Sequence, residues 1–270
     1  MSYIEDGDKM GKVIALVNQK GGVGKTTSSI NLAASLGALG KKVLLVDLDP
    51  QGNASTGLGI NKGEVDKSIY NLLIDEATLD DVIIKTKFKN LFIIPSTINL
   101  AGAEIELMEM SRTESNFSKN GQLKKYLDQV KDFFDYIIID CPPSLAILTV
   151  NALTAADSVL IPVQCEFLPM EGLMQLINTI RIAQNSFNPN LTIEGVLLTM
   201  FDPRTNSGLE VIEEVKGYFK ECVYSTIIPR LVRLSEAPSH GKPIIAYDPR
   251  SRATDAYLNL AREVIERNGN

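Results

Sequence analysis

The hydrophobic residues of this chain fall into short continuous runs that polar or amphipathic stretches separate. Seven runs are rich in β-branched residues: KVIALV (12–17), KVLLVD (42–47), LFIIP (91–95), YIIID (136–140), SVLIPV (158–163), GVLLTM (195–200) and VYSTIIP (223–229). Continuous rather than alternating apolar runs are typical of strands buried on both faces, as in parallel sheets. The pattern therefore predicts a parallel sheet, and the apolar-poor stretch SRTESNFSKNG (111–121) predicts an exposed loop.

Helix-like stretches lie between these runs, for example residues 26–40 and 209–220, and Gly40 fits the end of the first. Strands that alternate with helices imply right-handed βαβ units. We therefore predict an α/β fold, a doubly wound, mainly parallel sheet flanked by helices. Since no linker or internal repeat is visible, residues 12–270 are predicted to form a single domain after a flexible tail of residues 1–11.

The last predicted helix covers about residues 254–267 and has one apolar face. That face consists of Tyr257, Leu258, Ala261, Val264 and Ile265. The pattern favours packing on the sheet. The alternative is a helix on a membrane surface, but its polar face mixes arginine with glutamate and has no basic excess.

Composition then limits the classes of function. The 270 residues carry a formal net charge of −6, and the sequence pI is about 5.0, so only a local basic patch would bind nucleic acid. The three cysteines match no metal-site or redox spacing, and a single histidine argues against histidine-based catalysis. The polar start is not a signal peptide, and no apolar run approaches ~20 residues. We expect a cytoplasmic protein with reduced thiols and no membrane partner.

The stretch NQKGGVGKTT (18–27) follows the first predicted strand and begins the first predicted helix. The glycines let backbone N–H groups converge on phosphate, and the helix N-terminus adds its dipole. The loop residues Gly21, Gly22, Val23, Gly24, Lys25, Thr26 and Thr27 are therefore predicted to bind nucleotide. Lys25 is expected to reach the β- and γ-phosphates, Thr26 to bind Mg²⁺ directly and Thr27 to contact the α-phosphate.

Acidic residues close two other predicted strands. Asp47 ends one strand with Asp49 just beyond it, and Asp140 ends another. Ligands of open parallel sheets bind at the carboxyl ends of strands, so these carboxylates are expected near the loop. Asp140 is predicted to hold Mg²⁺ through water, and Asp49 to contact the metal through water and to orient or deprotonate the attacking water. Asp47 is expected to support the loop.

The segments KGGVGKTT, LLVDLDPQGN and DYIIIDCPPS together resemble the deviant Walker A ATPases, a P-loop NTPase-like group. The usual Walker A pattern has a glycine where this chain has Gln19. Within the group, the chain resembles the ParA/Soj chromosome-partitioning family. The similarity continues through residues 151–166, 194–205 and 228–244 and covers nearly the whole chain, from Lys12 to about Arg267.

The resemblance implies an ATPase that uses ATP and Mg²⁺ and sandwiches ATP between two copies of the chain. Lys20 matches the lysine that reaches the partner's phosphates, and Gly21 lies where the two loops approach. Facing triphosphates repel each other, so a second lysine per subunit is also physically reasonable. Asp49 matches the residue needed for hydrolysis, with Lys20 and Lys25 as catalytic cations. The base is expected near Pro229, although Leu231 replaces the asparagine of many members.

The resemblance also implies DNA contacts, which a basic segment supports. Residues 230–252 contain five basic and two acidic side chains, a net charge of +3. The predicted DNA-binding residues are Arg204, Arg230, Arg233, Lys242 and Arg250. No base-reading helix is visible, so binding without sequence preference is expected. An ordinary solvated charged surface is the alternative.

The leading hypothesis is therefore a nucleoid-associated partitioning switch. Its ATP-bound homodimer binds double-stranded DNA and is released when a ParB-type centromere-binding partner stimulates hydrolysis. The first alternative is a MinD-like, membrane-associated ATPase that positions cell division. An iron–sulfur protein of the nitrogenase-reductase type and a nucleotide-sensing scaffold without turnover are further alternatives.

Overall fold

The computed structural model describes residues 11–115, 117–166 and 170–269. They form eight strands: β1 (Lys12–Leu16), β2 (Val43–Asp47), β3 (Ile84–Lys85), β4 (Leu91–Ile94), β5 (Tyr136–Asp140), β6 (Ser158–Gln164), β7 (Thr192–Phe201) and β8 (Val223–Pro229). All belong to one sheet in the order β3-β4-β2-β5-β1-β6-β7-β8. Neighbouring strands are parallel except β3 and β4, which are antiparallel.

The predicted α/β fold is confirmed, and each of the seven predicted strands is present within a few residues of its expected bounds. The sequence missed β3, because it has only two residues and one of them, Lys85, is exposed at the sheet edge. Residues 1–10 of the predicted tail lie outside the described residues. The predicted tail also includes Gly11, but this residue is buried. Its N–H donates to the carbonyl of Lys131 at 3.1 Å.

Twelve α-helices lie between or after the described strands. They are α1 (Lys25–Ala38), α2 (Asn53–Gly57), α3 (Ile69–Leu73), α4 (Leu79–Val82), α5 (Ala103–Thr113), α6 (Gln122–Val130), α7 (Ile147–Ala155), α8 (Met170–Ser186), α9 (Asn206–Phe219), α10 (Val232–Glu236), α11 (Ile244–Tyr247) and α12 (Arg252–Arg267). In the part of the chain that the structure describes, none of them has both the length and the apolar character needed to cross a membrane.

The two faces of the sheet carry separate hydrophobic cores. Val13 and Ala15 of β1 point into the larger core, whereas Ile14 and Leu16 point into the other. Both sets are fully or almost fully buried, which explains why the strands are continuously apolar. Successive side chains of a strand point to opposite faces, so both faces of this sheet have to be covered.

The end of α1 follows the predicted glycine signal. Gly40 has φ +97°, and its N–H donates to the carbonyl of Gly37 at 3.1 Å. The N–H of Lys41 donates to the carbonyl of Leu36, also at 3.1 Å. This pair of hydrogen bonds is a Schellman motif, which closes the helix before β2 begins.

Helix α12 packs against α1 and β8, as the sequence pattern favoured. Tyr257, Ala261 and Val264 are buried in the second core, but Leu258 and Ile265 are only half-buried. Leu260, which the predicted face omitted, is fully buried. The apolar face is therefore rotated from the predicted one, and the sheet already covers it.

The predicted loop at residues 111–121 is wrong at its start. Residues 111–113 form the last turn of α5, and the irregular segment begins at Glu114. Asn116 lies outside the described residues. The turn is polar because it is exposed, so its composition does not distinguish a helix end from a loop.

Two helical glycines differ in their surroundings and provide a stability test. A Cβ at Gly37 would overlap the carbonyl oxygen of Lys89, whereas a Cβ at Gly217 would meet no atom within 4 Å. We expect Gly37→Ala to lower the free energy of unfolding by ~1–2 kcal/mol, because backbone has to move. Gly217→Ala should raise it by ~0.5–1 kcal/mol through helix propensity. Urea denaturation of both variants measures the free energies of unfolding. Equal changes in the two variants would contradict the overlap with the Lys89 carbonyl oxygen at Gly37.

Candidate nucleotide-binding site

The predicted phosphate loop forms the turn between β1 and α1. Gly22 and Gly24 have φ of +75° and +85°, a region that only glycine enters readily. Helix α1 begins at Lys25, so its N-terminal N–H groups face the same space as the loop. The loop therefore has the backbone conformation that an anion cradle requires.

Hydrogen bonds to the neighbouring strands β6 and β7 hold this loop in place. Asn18 donates from Nδ2 to the carbonyl of Pro162 in β6 at 2.7 Å, and its Oδ1 accepts the N–H of Lys20 at 3.0 Å. In β7, the hydroxyl of Thr199 donates to the carbonyl of Val23 at 2.8 Å. These contacts fix the loop relative to the sheet.

Lys25 is buried under the loop. Its Nζ donates to the carbonyl of Lys20 at 3.3 Å. Burial lowers the pKa of Lys25, and the nearby Asp140 and Asp49 carboxylates oppose that shift. A lysine that is partly desolvated and close to the glycine turn is suited to bind phosphate oxygens.

Asp140 lies at the carboxyl end of β5, opposite Asp47 at the end of β2. Ser29 donates from its hydroxyl to Asp140 Oδ1 at 2.8 Å. Burial, together with the charge of Asp47, raises the pKa of Asp140.

The other oxygen of Asp140, Oδ2, is buried without a hydrogen-bond partner among the described residues. A buried carboxylate oxygen needs a donor or a cation. A magnesium ion held by the Thr26 hydroxyl, with a bound water donating to Asp140, would meet that need. The residues present therefore fit the predicted metal site.

Asp47 and Asp49 have different environments. Asp47 is fully buried, and its Oδ2 accepts both the N–H and the hydroxyl of Ser55 at 2.7 Å. Its Oδ1 accepts the N–H of Asp49 at 3.3 Å, so Asp47 supports the loop that carries Asp49. Asp49 keeps 9% of its surface exposed, and its Oδ1 accepts the N–H of Gln51 at 2.9 Å.

Two adjoining cavities lie over the loop. A cleft of about 560 Å³ is lined by Lys25, Thr26, Asp49 and the loop glycines. A second cavity of about 290 Å³ is mainly apolar. Gly24, Thr27 and Met200 line both, so the two spaces adjoin at these residues. Their combined shape suits a phosphate chain followed by an aromatic base.

Pro229, the residue predicted near the base, lines the apolar cavity together with Leu231. Leu231 presents an apolar side chain where the asparagine of many family members would offer a polar one. Hydrogen bonding to a base in this cavity would therefore have to come from other groups, such as the backbone of the same segment.

Lys20 and Gly21 are exposed at the outer edge of the loop. Among the described residues, the Lys20 ammonium has no hydrogen-bond or ion-pair partner. A Cβ at Gly21 would meet no atom within 4 Å, and its φ is not positive, so this chain alone does not explain the glycine. Their roles at a dimer interface stay predictions.

Three of the four predicted DNA-binding arginines are exposed but already paired with carboxylates. Arg204 donates from Nε and Nη2 to Asp202 at 2.8 and 2.6 Å. The pairing lowers the pKa of Asp202 to about 2. Arg233 lies 3.2 Å from Asp248, and Arg230 pairs with Glu166. Phosphates would therefore have to replace these intramolecular partners.

The other two predicted DNA-binding residues, Lys242 and Arg250, are exposed on the surface. Neither forms an ion pair within the parts of the chain that the structure describes. They therefore add unneutralised positive charge to the basic segment, and their contact with DNA stays a prediction.

Sequence reasoning missed several residues that shape the site. Asn18 and Thr199 hold the loop, and the hydroxyls of Ser28 and Tyr257 hydrogen-bond at 3.2 Å beside the apolar cavity. Met200 lines both cavities with φ +55°, which is unusual for a side chain of this kind. Its position at the carboxyl end of a predicted parallel strand was the available signal.

Comparison with known proteins adds a family to this geometry. The family model described as "AAA domain" matches residues 11–193. Soj, the sporulation initiation inhibitor protein of Bacillus subtilis, is 62% identical over 255 residues, which cover 94% of this chain and 98% of Soj. The chromosome partitioning protein ParA of Myxococcus xanthus is 50% identical over 258 residues, covering 96% and 89% of the two chains.

Solved structures agree with the fold and the type of ligand. Cobyrinic acid a,c-diamide synthase of Mycobacterium smegmatis, with bound ADP and magnesium, has a TM-score of 0.84 and 34% identity. The alignment covers 97% of this chain and 96% of that one. The septum site-determining protein MinD of Pyrococcus horikoshii, complexed with Mg-ADP, has a TM-score of 0.77 and 27% identity, covering 96% and 98%.

The nucleotide and magnesium in these structures agree with the ATP and Mg²⁺ predicted from the loop. The P-loop fold, the matched family model and the near full-length relatives are mutually consistent. The chain belongs to the Soj/ParA family of chromosome-partitioning proteins.

Proposed function

We propose that this chain is a Mg²⁺-dependent ATPase that works as a DNA-partitioning switch. ATP joins two copies into a dimer, the dimer binds DNA without sequence preference, and hydrolysis releases it. The observation that carries the proposal is the contrast between the two loop lysines. Lys25 is buried beside the glycine turn, whereas Lys20 is exposed with no partner for its ammonium among the described residues.

The phosphates of ATP would lie in the cleft over the loop, and the base in the adjoining apolar cavity. Backbone N–H groups of the loop and the Lys25 ammonium would neutralise phosphate charge. Thr26 would hold Mg²⁺ directly, and Asp140 and Asp49 through water. The metal supplies positive charge beside the phosphates when it is bound.

Asp49 is the proposed residue for activating water. It lies at the cleft, and its loop is fixed through the N–H contacts to Asp47 and Gln51. A carboxylate held in this way can orient the attacking water and accept its proton. Asp47 is fully occupied by Ser55 and the Asp49 N–H, so it positions Asp49 and does not contact substrate.

Dimerisation would place Lys20 near the partner's nucleotide. Two triphosphates facing one another repel, and an exposed lysine from each subunit reduces that repulsion. The lysine gains a phosphate partner only when ATP is present, so the dimer depends on the nucleotide. Gly21 fits this arrangement because the chain itself leaves open space beside it.

DNA binding would use Arg204, Arg230, Arg233, Lys242 and Arg250. Arg204, Arg230 and Arg233 exchange their carboxylate partners for phosphates, which makes binding by a single copy weak. Two copies on one duplex bind more tightly through effective concentration. ATP therefore gates DNA binding by gating the dimer.

The partner that stimulates hydrolysis is proposed to be a ParB-type centromere-binding protein, with the dimer at the nucleoid in the cytoplasm. Relatives named for chromosome partitioning support this reading. A membrane-bound, MinD-like role is less consistent with the structure, because the apolar face of α12 is buried against α1 and β8. Pelleting with liposomes and ATP, without binding to DNA, would favour that role instead.

The two loop lysines give a matched test of a nucleotide site that two copies of the chain form together. We expect Lys25→Ala to weaken ATP binding by roughly 10- to 150-fold, because a charged hydrogen-bond partner is lost. Lys20→Ala should keep ATP affinity but lose the ATP-dependent dimer. Isothermal titration and light scattering separate the two effects. An unchanged dimer in the Lys20 variant would remove that lysine from the interface.

Asp49→Asn tests the catalytic role. The substitution keeps the side-chain shape and the contact with Gln51, but the amide cannot accept a proton from water. We expect turnover to fall by about 10²- to 10⁴-fold while ATP binding and the dimer persist. Phosphate release with DNA and the ParB-type partner present measures it. Normal turnover would exclude Asp49 as the base.

The ion pair between Arg233 and Asp248 predicts opposite effects on DNA binding. Arg233→Ala should weaken binding to every sequence and reduce the slope of log affinity against log salt by about 1 per copy. Asp248→Asn frees the arginine and should strengthen binding. Anisotropy with two unrelated duplexes, each with ADP, ATP and a slowly hydrolysed analogue, tests both. Loss on only one duplex would exclude a phosphate contact.

A further inference from the structure

A row of apolar side chains on and before α5 faces solvent. We call the residues Ile98, Ala101, Ile105 and Met108 the α5 seam. Ile98 and Ala101 lie in a 3₁₀ turn that leads directly into α5. The exposures of Ile98, Ile105 and Met108 are 68%, 66% and 44%. The spacing of three, four and three residues is the a/d repeat that helices use to pack on one another.

The α5 seam is not the face that anchors the helix. Leu100, Ala103 and Leu107 are fully buried in the larger core, where α5 contacts α3. A helix on a globular surface normally has one apolar stripe and a polar opposite face. This segment has a second apolar stripe, which the described residues leave uncovered.

Carboxylates flank the α5 seam. Glu104 precedes Ile105, and Glu109 follows Met108. The Tyr70 hydroxyl donates a hydrogen bond to Glu106 and lies 2.9 Å from each carboxylate oxygen. None of the three glutamates forms an ion pair with any residue that the structure describes. The seam is therefore apolar along its centre and negatively charged at its edges.

We propose that the α5 seam binds an amphipathic helix of a partner protein, with its apolar stripe flanked by lysine or arginine. Helices bind to apolar faces through anchors spaced in this way, and flanking charges select the partner. A second copy of the chain is disfavoured, because the glutamates that flank one seam would lie against those that flank the other. An anionic membrane is disfavoured by the same charges.

The length of the seam limits the strength of binding. Eleven residues from Ile98 to Met108 span ~16 Å at helical rise, enough for about three turns of a partner helix. A contact of this size belongs to the small, transient class of interfaces. The proposal depends on neither ATP hydrolysis nor DNA binding, so it stands or falls separately from the proposed function.

The probe is a designed peptide of three heptads, with leucine at a and d and lysine at e and g. Its counterpart has glutamate at e and g. We expect the full chain to bind the lysine peptide at least ~10-fold more tightly than the glutamate peptide, with an affinity that falls as salt rises. Ile105→Asp should weaken the lysine peptide ~10-fold, although the added charge alone would strengthen it.

Matched variants make the result specific to this face. Ile182→Asp, at an isoleucine of α8 that is 60% exposed, should leave binding unchanged. Glu104→Lys with Glu109→Lys should reverse the preference between the two peptides, while Glu213→Lys with Glu214→Lys on α9 should not. Fluorescence anisotropy measures binding, and circular dichroism checks that each variant is folded.

Three results would overturn the proposal. The first is absence of binding by the lysine peptide, and the second is an equal loss in the Ile105 and Ile182 variants. The third is a nucleotide-free dimer, found by sedimentation, that Ile105→Asp dissociates. That dimer would assign the face to a second copy of the chain.

Discussion

The site depends on parallel strands that end at one edge of the sheet. β5 lies between β2 and β1, and its terminal Asp140 is in register with Asp47 on one side and Leu16 on the other. Two buried carboxylates therefore lie under the turn that carries Lys25. Burial penalises every one of these charges, so each is stable only with its partners. The serine hydroxyls of Ser29 and Ser55 supply hydrogen bonds on the protein side.

That arrangement leaves a few polar groups without a full set of hydrogen bonds, and these groups mark the nucleotide site. Asp140 Oδ2 has no hydrogen-bond partner among the described residues, and the glycine turn presents N–H groups to an open cleft. Nucleotide and metal would complete both. The strained backbone of Met200 lies at the junction of the two cavities, where a base and a phosphate chain would meet.

Although the protein is acidic overall, charges of each sign are concentrated on separate parts of its surface. Asp202, Glu166 and Asp248 pair with Arg204, Arg230 and Arg233, which partly neutralises the positive charge of these arginines. The α5 seam has the opposite sign, with glutamates that have no ion-pair partner among the described residues. The two proposals therefore place a polyanion and a basic helix on separate faces of the chain.

The sequence by itself determined the seven longer strands, the phosphate loop and the acidic strand ends, because local residue order sets them. Short-range pattern also located the end of α1 at Gly40. It missed β3, Leu260 of α12 and the last turn of α5, since packing or exposure at those positions is decided by distant residues. Only the tertiary structure decided that Ser55 satisfies the Asp47 carboxylate, that Thr199 holds Val23 and that Arg233 pairs with Asp248. The partners in these contacts lie between 8 and 176 positions apart in the chain, and a linear pattern does not contain the distance between their side chains.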